Sequence, residues 1–278
     1  MKPGIYQGIS NEKYHSAEMS HIISNSYLGR LSTVPAAAKV PQEDTGTFQF
    51  GRAFHAFVLE PNVFYNTYFI AENRGKQKKE DKEYWLQIAQ EQSDKEIIKL
   101  EDFETIQEMD KSIKGHPFAS ELMKKGVSEQ TIIWQDEETG LLCKVRPDRT
   151  PAGEKGVILD LKKTRDAGEH SFQSSCVKYG YARAAAMYME GYSKATGILY
   201  ADLIFTLIAV EDTPPYRIEV YPMSTDFIQY GWTEFHRLLR IEYKCRKNNH
   251  WPNYQNAGAQ ELQKPGYLGA WELGDFAV

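Results

Sequence analysis

Two short runs hold residue types that hydrolytic chemistry needs: Arg146-Pro147-Asp148 and Asp160-Leu161-Lys162. Side chains alternate faces along a strand, so Asp160 and Lys162 share one face and Leu161 turns to the other. A carboxylate and an ammonium then stand side by side. If a hairpin carries Asp148 to the neighbouring strand end, two carboxylates converge, an arrangement that hard cations such as Mg²⁺ favour. Without a cation the pair would repel and at least one pKa would rise. The plainer reading is an edge ion pair between Asp160 and Lys162 with Asp148 capping a turn.

The elements around these runs follow from periodicity. The segment Gln130–Gln135 reads as a strand, 136–140 (DEETG) as a turn and Leu141–Arg146 as the returning strand. Gly156–Lys162 is more uniformly apolar, which predicts a strand covered on both faces. A helix is expected from Ser171 to about Tyr192, then strands Leu199–Val210 and Tyr216–Tyr221, and a last helix from Thr225 to about Lys247. This βββ–α–ββ order predicts a mixed sheet flanked by helices.

Residues 1–128 read as mainly helical, with patterns at His21–Leu31, Phe48–Leu59 (stopped by Glu60-Pro61), Tyr84–Gln92, Asp102–Ile113 and Phe118–Lys125. The charged run Arg74–Lys82 reads as a mobile loop. Residues 248–278 form a tail carrying Trp251, Tyr254, Tyr267 and Trp271. With no internal repeat or Pro/Ser-rich linker, the 278 residues are read as one domain with elaborations.

The motifs, met in order, resemble the nuclease domain of RecE-type exonucleases (exodeoxyribonuclease VIII), RecB-like members of the PD-(D/E)XK nuclease superfamily. The resemblance spans nearly the whole chain. It is carried by YHSAEMSHIISNSYLGRLSTVPAAAK at 14–39, GRAFHAFVLEPNVF at 51–64, WQDEETGLLCKVRPDR at 134–149, ILDLKKTRDA at 158–167 and YGYARAAAMYMEGY at 179–192. The fold it implies is α/β (α+β), a restriction-endonuclease-like core with a central mixed β-sheet flanked by helices and an N-terminal helical elaboration.

The same resemblance implies the site. Asp148 and Asp160 would ligate Mg²⁺, with Mn²⁺ as a substitute, together with the backbone carbonyl of Leu161. His55 would be a further ligand, Lys162 would orient the attacking water, and Glu129 and Tyr188 would support the metal site. Lys163, Arg165, Arg183 and Arg149 are candidate DNA contacts, with Lys144 and Arg146 beside them. Two departures stand out. The family's Q-x-x-x-Y pair keeps Tyr188 but has Ala184 where glutamine is usual, leaving Arg183 or Gln173 to compensate, and Lys163 stands where threonine is common.

The implied activity is Mg²⁺-dependent hydrolysis of linear double-stranded DNA, 5′ to 3′, leaving 3′ single strands for a single-strand-annealing recombinase in a phage or prophage setting. A homo-oligomeric ring, such as a tetramer, belongs to the same implication. The rivals are another RecB-like nuclease, acting on single strands or as an endonuclease, and a catalytically reduced DNA-binding adaptor. The three cysteines, Cys143, Cys176 and Cys245, are too widely spaced for a metal knuckle. A net charge of -5 does not exclude DNA, because screening acts over about 8–10 Å and lets a basic groove coexist with an acidic exterior. No run approaches the roughly 18 apolar residues of a membrane span, and the start lacks a secretory pattern, so the expected location is cytoplasmic.

Overall fold

The computed structural model describes residues 1–41, 45–75, 77–151, 156–254, 259 and 261–263. In chain order the strands are β1 (Gly4–Tyr6), β2 (Tyr68–Ala71), β3 (Glu96–Lys99), β4 (Val127–Ser128), β5 (Thr131–Gln135), β6 (Leu142–Val145), β7 (Arg149–Thr150), β8 (Gly156–Thr164), β9 (Leu203–Glu211) and β10 (Ile218–Pro222). The helices are α1 (Asn11–His15), α2 (Asn25–Thr33), α3 (Gly46–Leu59), α4 (Pro61–Thr67), α5 (Lys79–Glu91), α6 (Leu100–Gly115), α7 (Pro117–Met123), α8 (Glu169–Tyr179), α9 (Tyr181–Thr196) and α10 (Thr225–Asn248).

The central sheet has the order β10-β9-β8-β7-β4, mixed because β8 and β9 run parallel while the other pairs are antiparallel. Both faces of β8 are covered, as its apolar run requires. Ile158 packs with Phe205, Leu207 and Ala209 into the core shared with α9 and α10, whereas Leu159 and Leu161 join Ile208 and Val210 in the core under α3 and α6. The restriction-endonuclease-like α/β arrangement expected from the sequence is therefore present, with helices on both sides of the sheet and a helical N-terminal elaboration.

Several local expectations change. The β5–β6 hairpin forms, but it pairs with β1 in a separate three-stranded sheet and not with β8. The helix expected over 171–192 is two helices, because Gly180 adopts φ 66° and ends α8 as it begins α9. Tyr200–Asp202, expected as part of the strand from Leu199, forms a short 3₁₀ turn ahead of β9. In the helical flank, β2 and β3 pair in parallel, and the strong helix formers from Lys79 onward start α5 inside the run read as a loop. Arg74 is held by Glu72 and lies over Tyr84, and Trp85 Nε1 donates to the Gly75 carbonyl. Tyr267 and Trp271 lie outside the described residues.

The close approach of α9 and α10 depends on Gly231, where a Cβ would sit 2.0 Å from the Ala182 carbonyl oxygen. Within the described residues, no helix is long and apolar enough to cross a membrane.

Candidate active site

Three neighbouring strands deliver three carboxylates to one place. Ser128 on β4 pairs with Arg149 on β7, and Arg149 pairs with Leu159 on β8, after which the strands part. The next residues, Glu129, Asp148 and Asp160, therefore stand side by side where the ladder opens. Glu129 takes a left-handed backbone, φ 54°, and its N–H donates to the Asp148 carbonyl at 3.3 Å. Such a conformation is costly for a residue with a Cβ and survives only where the surroundings fix it.

Asp148 is held from two sides. Its Oδ1 lies 3.1 Å from Nδ1 of His55, and its Oδ2 accepts the Leu161 N–H at 2.5 Å. In an extended strand the N–H and C=O of one residue point to the same edge, so the Leu161 carbonyl shares that edge with Asp148. His55 arrives on α3, a helix capped by the Thr45 hydroxyl and anchored by the fully buried Ala53 and Phe54. Its imidazole is 28% exposed, whereas Asp148 is 7% exposed. The site is thus closed behind its carboxylates and open at the histidine.

Lys162 reaches back along β8 to ion-pair with Asp160. Burial disfavours its charge, but Asp160 and Asp148 outweigh burial and hold the ammonium above the ordinary lysine range. Asp160 is pushed up by burial and by Asp148, against the pull of Lys162. Burial would raise Asp148 too; His55, Lys162 and the Leu161 N–H outweigh it and hold Asp148 below the usual carboxylate range. Burial and the Asp148 charge push Glu129 up to about 8. The imidazole of His55, disfavoured as a cation by burial, is lifted by Asp148.

The pocket thus crowds three carboxylates around one ammonium and one imidazole, and burial with mutual repulsion disfavours ionisation of Asp160 and Glu129. His55, Glu129 and Asp148 offer one nitrogen and two carboxylates whose ligand atoms lie within 4.8 Å of one another. That donor set, with Asp160 and the Leu161 carbonyl adjoining, suits a divalent cation. A bound cation would relieve the repulsion among these carboxylates.

Tyr188 on α9 packs edge-on against Phe205, at 5.9 Å between ring centres. Burial and the charges of Asp160 and Asp148 raise its phenol well above the ordinary range, which places the ring in the field of the site. Ala184, one turn earlier, is buried.

The expected DNA contacts divide. Arg165 is exposed. Lys163 pairs with Asp212 at 2.6 Å and lies over the Phe50 ring. Arg149 donates to Lys125 O, Ser128 Oγ and Gly126 O, so its guanidinium braces the β4 edge. Arg183 is buried with Nε on Asn25 Oδ1 at 2.8 Å and so does not stand in for the missing glutamine. Lys144 and Arg146 likewise face inward. Lys144 donates to the carbonyls of Tyr14 and Met19, and Arg146 to Ile9 O and Thr131 Oγ1, with its Nε 3.9 Å from Glu129. These four cations are committed to structure because a buried charge needs partners, and the fold supplies them.

A second histidine–carboxylate group escapes sequence reasoning: Asp136, Glu190 and His236, all buried, with ligand atoms again within 4.8 Å. Its members lie on the β5–β6 turn, α9 and α10, and no spacing links them. Here one oxygen of each carboxylate already holds two partners. Glu190 Oε2 receives Trp232 Nε1 at 3.1 Å and lies 2.9 Å from His236 Nε2, while Asp136 Oδ2 accepts the Thr139 N–H and hydroxyl.

The fold agrees with comparisons to known proteins. A crystal structure of a Eubacterium rectale protein described as a "putative exonuclease" superposes with a TM-score of 0.59, covering 94% of this chain and 96% of that one at 15% identity. At that identity the likeness speaks for the fold. Among curated proteins, none matches. The family model described as a PDDEXK-like domain of unknown function matches residues 33–264, and the chain belongs to that family.

Proposed function

We propose that the protein is a Mg²⁺-dependent exonuclease that hydrolyses one strand of linear double-stranded DNA from its 5′ end. The observation that carries this reading is the meeting of His55, Glu129, Asp148 and Asp160 with Lys162 at the open edge of β8. The resemblance of the motifs to RecE-type exonucleases supports the substrate and polarity, and the structural neighbour from Eubacterium rectale, described as a "putative exonuclease", supports an exonuclease on this fold.

His55, Asp148, Asp160 and the Leu161 carbonyl would hold the ion, with Glu129 beside them. When bound, a divalent cation lowers the pKa of a water molecule and offsets charge developing on the phosphate. Asp148, locked by the Leu161 N–H and His55, keeps its carboxylate aimed into the opening, which avoids reorganisation as the reaction proceeds. Lys162, kept protonated by two carboxylates, holds a fixed positive charge beside the attacked phosphorus and orients the water. The 3′ single strands left behind would serve an annealing recombinase. A ring-shaped homo-oligomer in the cytoplasm, threading the duplex, fits the same resemblance.

The test is digestion of linear duplex DNA labelled at the 5′ or the 3′ end, with Mg²⁺ or EDTA, beside closed circular DNA and Lys162→Ala. Release of the 5′ label that needs Mg²⁺, spares circles and is lost in the variant is the expected result. Retained DNA binding without cleavage would instead make the protein an adaptor, and attack on circles would make it an endonuclease.

A further inference from the structure

The rim of the site carries a pair of tyrosines that hydrolysis itself does not require. Tyr179 closes α8, Tyr181 opens α9, and Gly180 turns the chain between them. This turn is braced from below. A Cβ at Gly180 would lie 2.7 Å from the Arg183 guanidinium, which is buried and held by Asn25. The two phenol rings stack, 5.8 Å between centres and 27° between planes.

The stack has an inner and an outer end. At the inner end, Lys162 Nζ lies 5.1 Å from the Tyr181 ring centre, and Phe172, itself stacked on Tyr221, supports that ring from the core. At the outer end Tyr179 is 55% exposed, with the Lys178 ammonium 5.2 Å from its ring. A column of rings thus runs from the candidate catalytic lysine to solvent and ends on a half-exposed ring over which the flexible Lys178 side chain lays its ammonium. Flat π-surfaces next to positive charge hold nucleobases without reading their sequence.

We infer that Tyr179, carried on Tyr181, is a stacking platform for the nucleobase next to the scissile phosphate, and that the bound strand is therefore unpaired at that nucleotide. The inference rests on the nuclease reading of the site, because Lys162 places the phosphate and the sugar leads from there to the base. Tyr179 acts as a positioning residue. It holds the strand while the carboxylates and Lys162 act on the phosphate.

The experiment uses a linear duplex with 2-aminopurine as its 5′-terminal nucleotide and compares wild type, Tyr179→Ala and Tyr179→Trp. Emission of the complex is read in Ca²⁺, and steady-state cleavage is read in Mg²⁺. The platform predicts a quenched base on wild type and on Tyr179→Trp, and several-fold brighter emission on Tyr179→Ala. In cleavage it predicts a KM raised about tenfold in Tyr179→Ala, kcat little changed, and recovery in Tyr179→Trp. Equal emission and equal KM in all three, with cleavage intact, would overturn the platform and leave the nuclease reading standing. The emission difference without cleavage by wild type would keep the platform and remove hydrolysis. Neither signal would overturn both.

Discussion

Among the described residues stand two histidine–carboxylate groups of the same composition, His55 with Glu129 and Asp148, and His236 with Asp136 and Glu190. They differ in access and in what surrounds them. In the second group Trp232 and Thr139 take up carboxylate oxygens, and His236 packs within 4.2 Å of Trp232 and 4.7 Å of Phe235 between ring centres. That arrangement clamps α9 and α10 to the β5–β6 turn, which Lys194 and Arg240 reinforce from outside through Glu137 and Glu138. The first group has an open histidine, an adjoining carboxylate and lysine, and a left-handed backbone at Glu129. A donor set alone is therefore no evidence of a metal centre, whereas an open position beside mutually repelling carboxylates is what a catalytic metal site offers.

Breaking the first group is expected to have the largest effect. Asp148→Asn should reduce cleavage of linear DNA by about 10³-fold or more with the fold intact, and Lys162→Ala by about 10²–10³-fold, measured as initial rates against circular dichroism of the same samples. His55→Ala should likewise lower cleavage sharply; wild-type rates would return His55 to an ordinary helix position. Breaking the second group should act through stability. Glu190→Gln leaves buried polar groups mismatched and should cost about 3 kcal/mol in denaturant unfolding while the rate per folded molecule stays at the wild-type value.

The smallest effect is a pH dependence that separates the groups. With Glu129 raised from about 4.5 to about 8, the cation-free fold favours its protonated form. That contribution is complete below the ordinary carboxylate pKa and is lost as pH climbs through about 8, so stability falls across this window. In EDTA the melting temperature should decline by a few degrees between these limits, and Glu129→Gln should flatten the decline. An equally steep profile in the variant would place the titration elsewhere.

How much of this was legible depends on whether partners are near in sequence. Asp160 and Lys162 could be read because strand periodicity fixes their shared face, and β8 shows that alternation, with Leu161 buried on the far side; Asp148 was reached through the family resemblance. The break at Gly180 was hidden because helical periodicity continues on both sides of it. β2 and β3 were hidden because each spans four residues, too few for a period to show. Arg183 looked like a groove cation; its partner Asn25 lies 158 positions away and is found only in the folded chain. The closed triad has the same origin, three elements meeting without a spacing rule. Glu129 was visible as an acidic residue ahead of a strand, but its φ and its neighbour Asp148 come from the β4–β7 pairing.

The most direct test of the difference between the two groups is Mn²⁺ binding followed by electron paramagnetic resonance on wild type, Asp148→Asn and Glu190→Gln. The account predicts saturable binding to wild type and Glu190→Gln, and its loss in Asp148→Asn. Binding that survives Asp148→Asn and disappears in Glu190→Gln would contradict it, placing the metal in the buried clamp and leaving the edge of β8 without its cation.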